Sequence, residues 1–263
     1  MGAFRFFAFL VVTALSAIAS AQTQRLKDDD LRELMEEAKK DVERFTDAID
    51  SQYRKARIRT PTTEIAIDKY LEDLKKGAET MKDRFREDYA AGREVLEFLR
   101  QARPIEDRAA SGGGLFGAEK EWPRLRGTLG RLAREYGVDW GASPESWVAM
   151  RMNDRAVVEA IEKVKKTSEA FEKSLSSALE HMSNVTGAER KAALSAIDRL
   201  SDAADDLKDA TEDGGDASGE LGLLKAATAD IQKFLDKYGL ASSVGSTFRA
   251  LSADLAAVTS AFH

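Results

Sequence analysis

Apolar residues recur every three or four positions along nearly the whole chain, and that rhythm predicts helices packed lengthwise on one another. Leu31, Met35, Ala38, Val42, Phe45 and Ile49 fall at spacings of 4, 3, 4, 3 and 4, with charged residues filling the intervals. Thr60-Pro61 then predicts a fresh start, with Thr60 as N-cap and Pro61 at the first helical position. The second helix keeps the rhythm through Ile67, Leu71, Leu74, Ala78, Met81, Phe85, Gly92, Leu96 and Leu99. As continuous helices these two would each run about 50–60 Å. Neither is stable with its stripe bare, so the two are expected to pack antiparallel.

A loop from Pro104 to Gly117, containing Ser111-Gly112-Gly113-Gly114, is expected before a third helix. Trp122, Leu125, Leu129, Leu132 and Tyr136 share one narrow face of that helix, and Arg124, Arg131 and Arg134 lie opposite. Gly137 suits its C-terminal cap. No alternating run predicts a strand.

The pattern then repeats. A shift of 126 positions carries Leu26 onto Met152, Leu31 onto Val157, Phe45 onto Phe171, Leu71 onto Ile197, Trp122 onto Phe248 and Tyr136 onto Phe262. One shift that satisfies the seams of three helices indicates an internal duplication. Near Phe98 and Phe234 the shift becomes 136, so the second copy has gained ten residues around 211–220, which split its second helix. The expected architecture is all-α: a leader at 1–21, a three-helix unit at 22–142, and a second three-helix unit at 143–263. Ser143-Pro144-Glu145 is expected to start the helix leading into the second unit.

The leader assignment rests on Arg5, an apolar run from Phe6 to about Leu15, and small residues at Ala19-Ser20-Ala21. Cleavage near Ala21 would place the mature chain in a periplasmic or secreted location. With no cysteine among 263 residues, thiolate metal sites, thiol nucleophiles and disulfides are excluded. The formal net charge of −6 argues against a nucleic-acid partner, which needs a basic footprint.

The third-helix pattern Trp122-x-x-Leu125-Arg126-x-x-Leu129-x-x-Leu132-Ala133-x-x-Tyr136-x-Val138-x-Trp140 resembles a segment recurring in uncharacterised exported helical proteins of bacteria. It covers about 20 residues, and the second copy departs from it at Phe248. The resemblance implies export and helical structure; no activity comes with it.

Three features bear on chemistry. Asp209, Thr211, Asp213, Gly214 and Glu220 follow the oxygen-and-glycine spacing of a calcium-binding helix–loop–helix, although Asp216 stands where an apolar residue is usual. The charge is also uneven. Arg100, Arg103, Arg108, Arg124, Arg126, Arg131 and Arg134 crowd the end of the first unit, and Asp198 to Glu220 is acidic. Finally, His181 and His263 stand outside any metal or triad pattern, and His181 is expected to be a partly buried structural residue. The reading is therefore a non-enzymatic binding or structural protein of the bacterial cell envelope, with no assigned cofactor, catalytic residue or metal ligand. Its partner would be a protein, an anionic envelope polymer or a second copy of the chain. The alternative is a calcium-responsive or membrane-surface, lipid-associated helical protein.

Overall fold

The computed structural model describes residues 25–60, 63–213 and 217–262; the leader expected at 1–21 lies outside them. These residues form an all-α bundle of two helix clusters, each with its own apolar core. The first cluster contains α1 (Asp28–Ala48), α2 (Ile67–Arg84), α3 (Gly92–Ala110) and α4 (Trp122–Glu135). The second contains α5 (Asp154–Glu180), α6 (Gly187–Asp213), α7 (Ser218–Tyr238) and α8 (Gly245–Ser260). The apolar seams lie where the spacing puts them: Leu31, Met35, Ala38, Val42 and Phe45 are fully buried.

The first cluster has four helices rather than the three expected, because its long second helix is broken; the second cluster has four, as the split of its second helix predicts. In the first cluster Arg86 to Tyr89 interrupts the stripe with polar residues. Arg86 and Tyr89 exchange backbone hydrogen bonds across a tight turn, and Ala91 follows in the left-handed region at φ 50°. Gly92 restarts the helix under a later segment, where a Cβ would stand 2.9 Å from that of Ala149. In the second cluster the break falls between Asp213 and Ser218, within the predicted gain.

Three further expectations are corrected. Thr60 does not cap a helix; its amide and hydroxyl both bond the Thr63 carbonyl in the turn of a small antiparallel hairpin. The strands are β1 (Arg57–Arg59) and β2 (Glu64–Ala66), with Ile58 opposite Ile65 and Ile58 buried on the first core. Pro104 does not open a loop, since α3 carries it buried and runs on to Ala110. Ser143-Pro144-Glu145 leads into a single 3-10 turn, Pro144–Ser146, rather than a long helix. Trp147 is then buried against the first core, and the chain continues to Asn153, whose side chain caps α5 by accepting the Ala156 amide.

The order of packing repeats between clusters. Helix α1 lies between α2 and α4 with α3 on α2; α5 lies between α6 and α8 with α7 on α6. A tilted aromatic pair repeats too: Phe45 and Trp122 at 5.9 Å, and their 126-shifted counterparts Phe171 and Phe248 at 5.4 Å.

The clusters join where the N-termini of α1 and α5 meet. The Asp28 amide donates to the Asp154 carboxylate at 2.9 Å, and the Asp154 amide donates to the Asp28 carboxylate at 2.9 Å. Arg25 donates to the Met152 carbonyl and to Asp154, while Arg151 donates to the Leu26 carbonyl and to Asp28. Every participant is related to its counterpart by 126 positions, so the junction has approximate two-fold symmetry. Glu135 breaks it by accepting from both Arg151 and the Leu26 amide; the residue 126 positions later is Ala261. Burial, and next the charge of Arg151, pull the Arg25 guanidinium below its ordinary pKa.

Removing one partner from a buried ion pair leaves uncompensated charge, at a cost of about 3–5 kcal/mol. The Arg151 side chain is 1% exposed, and its partners Asp28 and Glu135 are 12% and 10% exposed. Arg151→Ala is expected to lose stability in that range in urea unfolding. Arg25→Ala should lose less, because its partner Asp154 is 31% exposed. Equal losses, or none, would contradict this account of the junction.

Candidate binding groove

Helix α4 starts with Pro123 in its first turn and ends in a Schellman arrangement, in which the Gly137 amide bonds Arg134 and the Val138 amide bonds Ala133. Gly137 stands at φ 66°, the left-handed position predicted for it. Trp122, Leu125, Leu129, Leu132 and Tyr136 are buried as expected, and the arginines face outward. Burial raises the Tyr136 hydroxyl well above its ordinary pKa, and that hydroxyl donates to the Ala90 carbonyl.

Most of the arginine cluster holds the fold together. Arg100 and Arg103 strap the connecting segment onto α3, donating to the carbonyls of Pro144, Trp147, Trp140 and Ala142. Arg108 bonds the Gly114 carbonyl and lies 4.3 Å from the centre of the Phe116 ring. Arg124 pairs at 2.7 Å with the buried Asp41, whose other oxygen accepts from Thr128. Arg126 pairs with both oxygens of Glu106, a bond that raises its pKa further, and Arg131 pairs with Glu37. Exposed Arg134 makes no hydrogen bond or ion pair within the described residues.

Between the end of α3 and the outer face of α4 runs a groove of about 700 Å3. Ala109, Ala110, Pro123, Gly127 and Gly130 give it a small, largely apolar floor; Arg126, Arg131 and Arg134 form a cationic rim, with Glu106 among them. A Cβ added to Gly127 or Gly130 would meet nothing within 4 Å, so the floor is open to solvent. Trp140 closes one end, stacked on Trp147 with ring centres 5.4 Å apart. The indole N–H groups of both are buried without a hydrogen-bond partner among the described residues.

Among the described residues the other candidate positions are not assembled into sites. Asp209, Thr211 and Asp213 all belong to α6, where positions two apart diverge by about 200° around the axis, so their oxygens do not converge. The Thr211 hydroxyl is spent on the Leu207 carbonyl. Gly214, Gly215 and Asp216 lie outside the described residues. No cluster of three or more metal-ligating side chains occurs among the described residues. His181 is exposed just past the end of α5, not partly buried, and His263 lies outside the described residues. No described helix is long and apolar enough to cross a membrane.

The chain matches no family model, no curated protein and no solved structure, so the functional argument rests on this geometry. Sequence reading found the arginines but not the groove, because the floor depends on α3 continuing past Pro104. The Gly127 and Gly130 spacing on the outer face of α4 was the signal available.

Two carbonyls depend on the Arg103 guanidinium. Arg103→Ala is expected to destabilise the fold by about 1–3 kcal/mol and to loosen the 138–150 segment. The readouts are a red-shifted tryptophan emission and faster proteolysis there; unchanged emission and cleavage would show that the strap holds without it.

Proposed function

We propose that this is an exported, non-enzymatic helical-bundle protein of the bacterial cell envelope, built by duplication, that binds an anionic partner along α4. The observation that carries the reading is the groove, an apolar floor under a cationic rim in which Arg134 has no partner among the described residues. A half-exposed guanidinium paired through one edge keeps further N–H donors for a ligand, and this is the condition of Arg126 and Arg131. The leader pattern and the absence of cysteine support the compartment. The 126-residue repeat supports the duplication.

The test uses poly-L-glutamate as an anionic probe and dextran as a neutral one, titrated into the mature protein at low salt. Poly-L-glutamate binding should weaken about tenfold in Arg134→Glu and fade with added salt, as rim electrostatics requires. Arg249→Glu, at an exposed position of α8, is the control and should bind normally. Equal binding by both variants, or equal binding of dextran, would remove the groove from consideration.

A further inference from the structure

The groove reading is the basis of this step, which names the occupant. We propose that the groove receives helix α6 of a second copy of the chain, so that exported copies associate head to tail. The outward face of α6 carries Asp198, Asp202, Asp206 and Asp209 at spacings of 4, 4 and 3, opposite the buried Leu200, Ala204 and Leu207. All four aspartates are exposed, and none makes a hydrogen bond or ion pair within the described residues. Neighbouring acids such as Asp205 and Glu212, by contrast, are paired with Lys165 and Lys208. Like charges one turn apart repel, so the stripe disfavours its own helix unless a cation covers it.

The two faces also fit in shape. The stripe from Asp198 to Asp209 spans about 17 Å of helix and the rim from Arg126 to Arg134 about 12 Å. Because Gly127 and Gly130 present no side chain, a second helix can approach the floor closely while its carboxylates meet the guanidinium rim. Within one chain the faces stay apart: α4 packs on α1 and α3, and α6 packs on α5 and α7. Groove and stripe are different surfaces, so the contact is heterologous, and each added copy leaves one of each free.

Sedimentation velocity of the mature protein at about 20 mM salt, where the Debye length is about 20 Å, tests this directly. The average mass should rise with protein concentration and return to that of one chain at about 0.5 M salt. Arg134→Glu blocks the groove and the double variant Asp202→Lys/Asp206→Lys blocks the stripe; each alone should remain a single chain. Mixed together they should form a two-chain species and nothing larger, because the remaining faces cannot extend. Unchanged circular dichroism confirms that the variants are folded. A wild-type chain that stays single at low salt, or association indifferent to both variants, overturns the proposal. If poly-L-glutamate is still bound by the wild type and lost by Arg134→Glu, the groove reading survives and only its occupant is wrong. If that binding is absent as well, both fall together.

Discussion

Two helix N-termini that meet head to head bring together two sets of bare amide donors and two positive dipole ends. In this protein the rest of the architecture depends on how that conflict is resolved. Asp28 and Asp154 each satisfy the other helix's first amide, and Arg25 and Arg151 offset the carboxylates while bonding carbonyls across the junction. The apolar cores stay separate, each enclosed by its own four helices. The clusters are joined by a small set of buried polar groups whose partners are specific, which fixes orientation more than it adds stability.

Much of the architecture was legible from apolar periodicity, since a seam such as Leu31 to Phe45 has no other way to be covered. The repeat was legible for the same reason: packing positions tolerate few residue types, so the seams of α1 and α5 align although their surfaces differ. What periodicity cannot show is whether a helix continues across a short polar interruption. Phe85 and Gly92 keep the seam's phase across the break, yet the chain between them turns back on itself through Arg86 and Tyr89. Pro104 misled in the opposite direction, because a proline inside a helix costs hydrogen bonding but is retained where packing outweighs the loss. The β1–β2 hairpin, three residues a side, is too short to give an alternating pattern.

The arginines show why charge clusters read from sequence overstate free charge. Their spacing was plain, but most of their carboxylate and carbonyl partners lie far away in the chain. Asp41 is 83 positions from Arg124, and Glu37 is 94 from Arg131. With those partners assigned, the broad basic region contracts to the rim above Gly127 and Gly130. The acidic side changes in the opposite way: Asp209, Thr211 and Asp213 of its calcium-like spacing lie in α6, which also carries a row of carboxylates without ion-pair partners among the described residues.

The symmetry of the junction has a further consequence. An interface in which each half offers the same arginine, the same carbonyl and the same aspartate is what two identical polypeptides would form about a dyad. Within one chain, by contrast, the two halves are free to differ. Glu135 now serves only one side, while Ala261 stands at the matching place on the other. A single gene product pairing with itself could not hold such a difference, because any residue it acquired would appear on both sides at once. Two like halves in one chain thus form an interface whose two faces can specialise, where identical subunits would have to change both faces together.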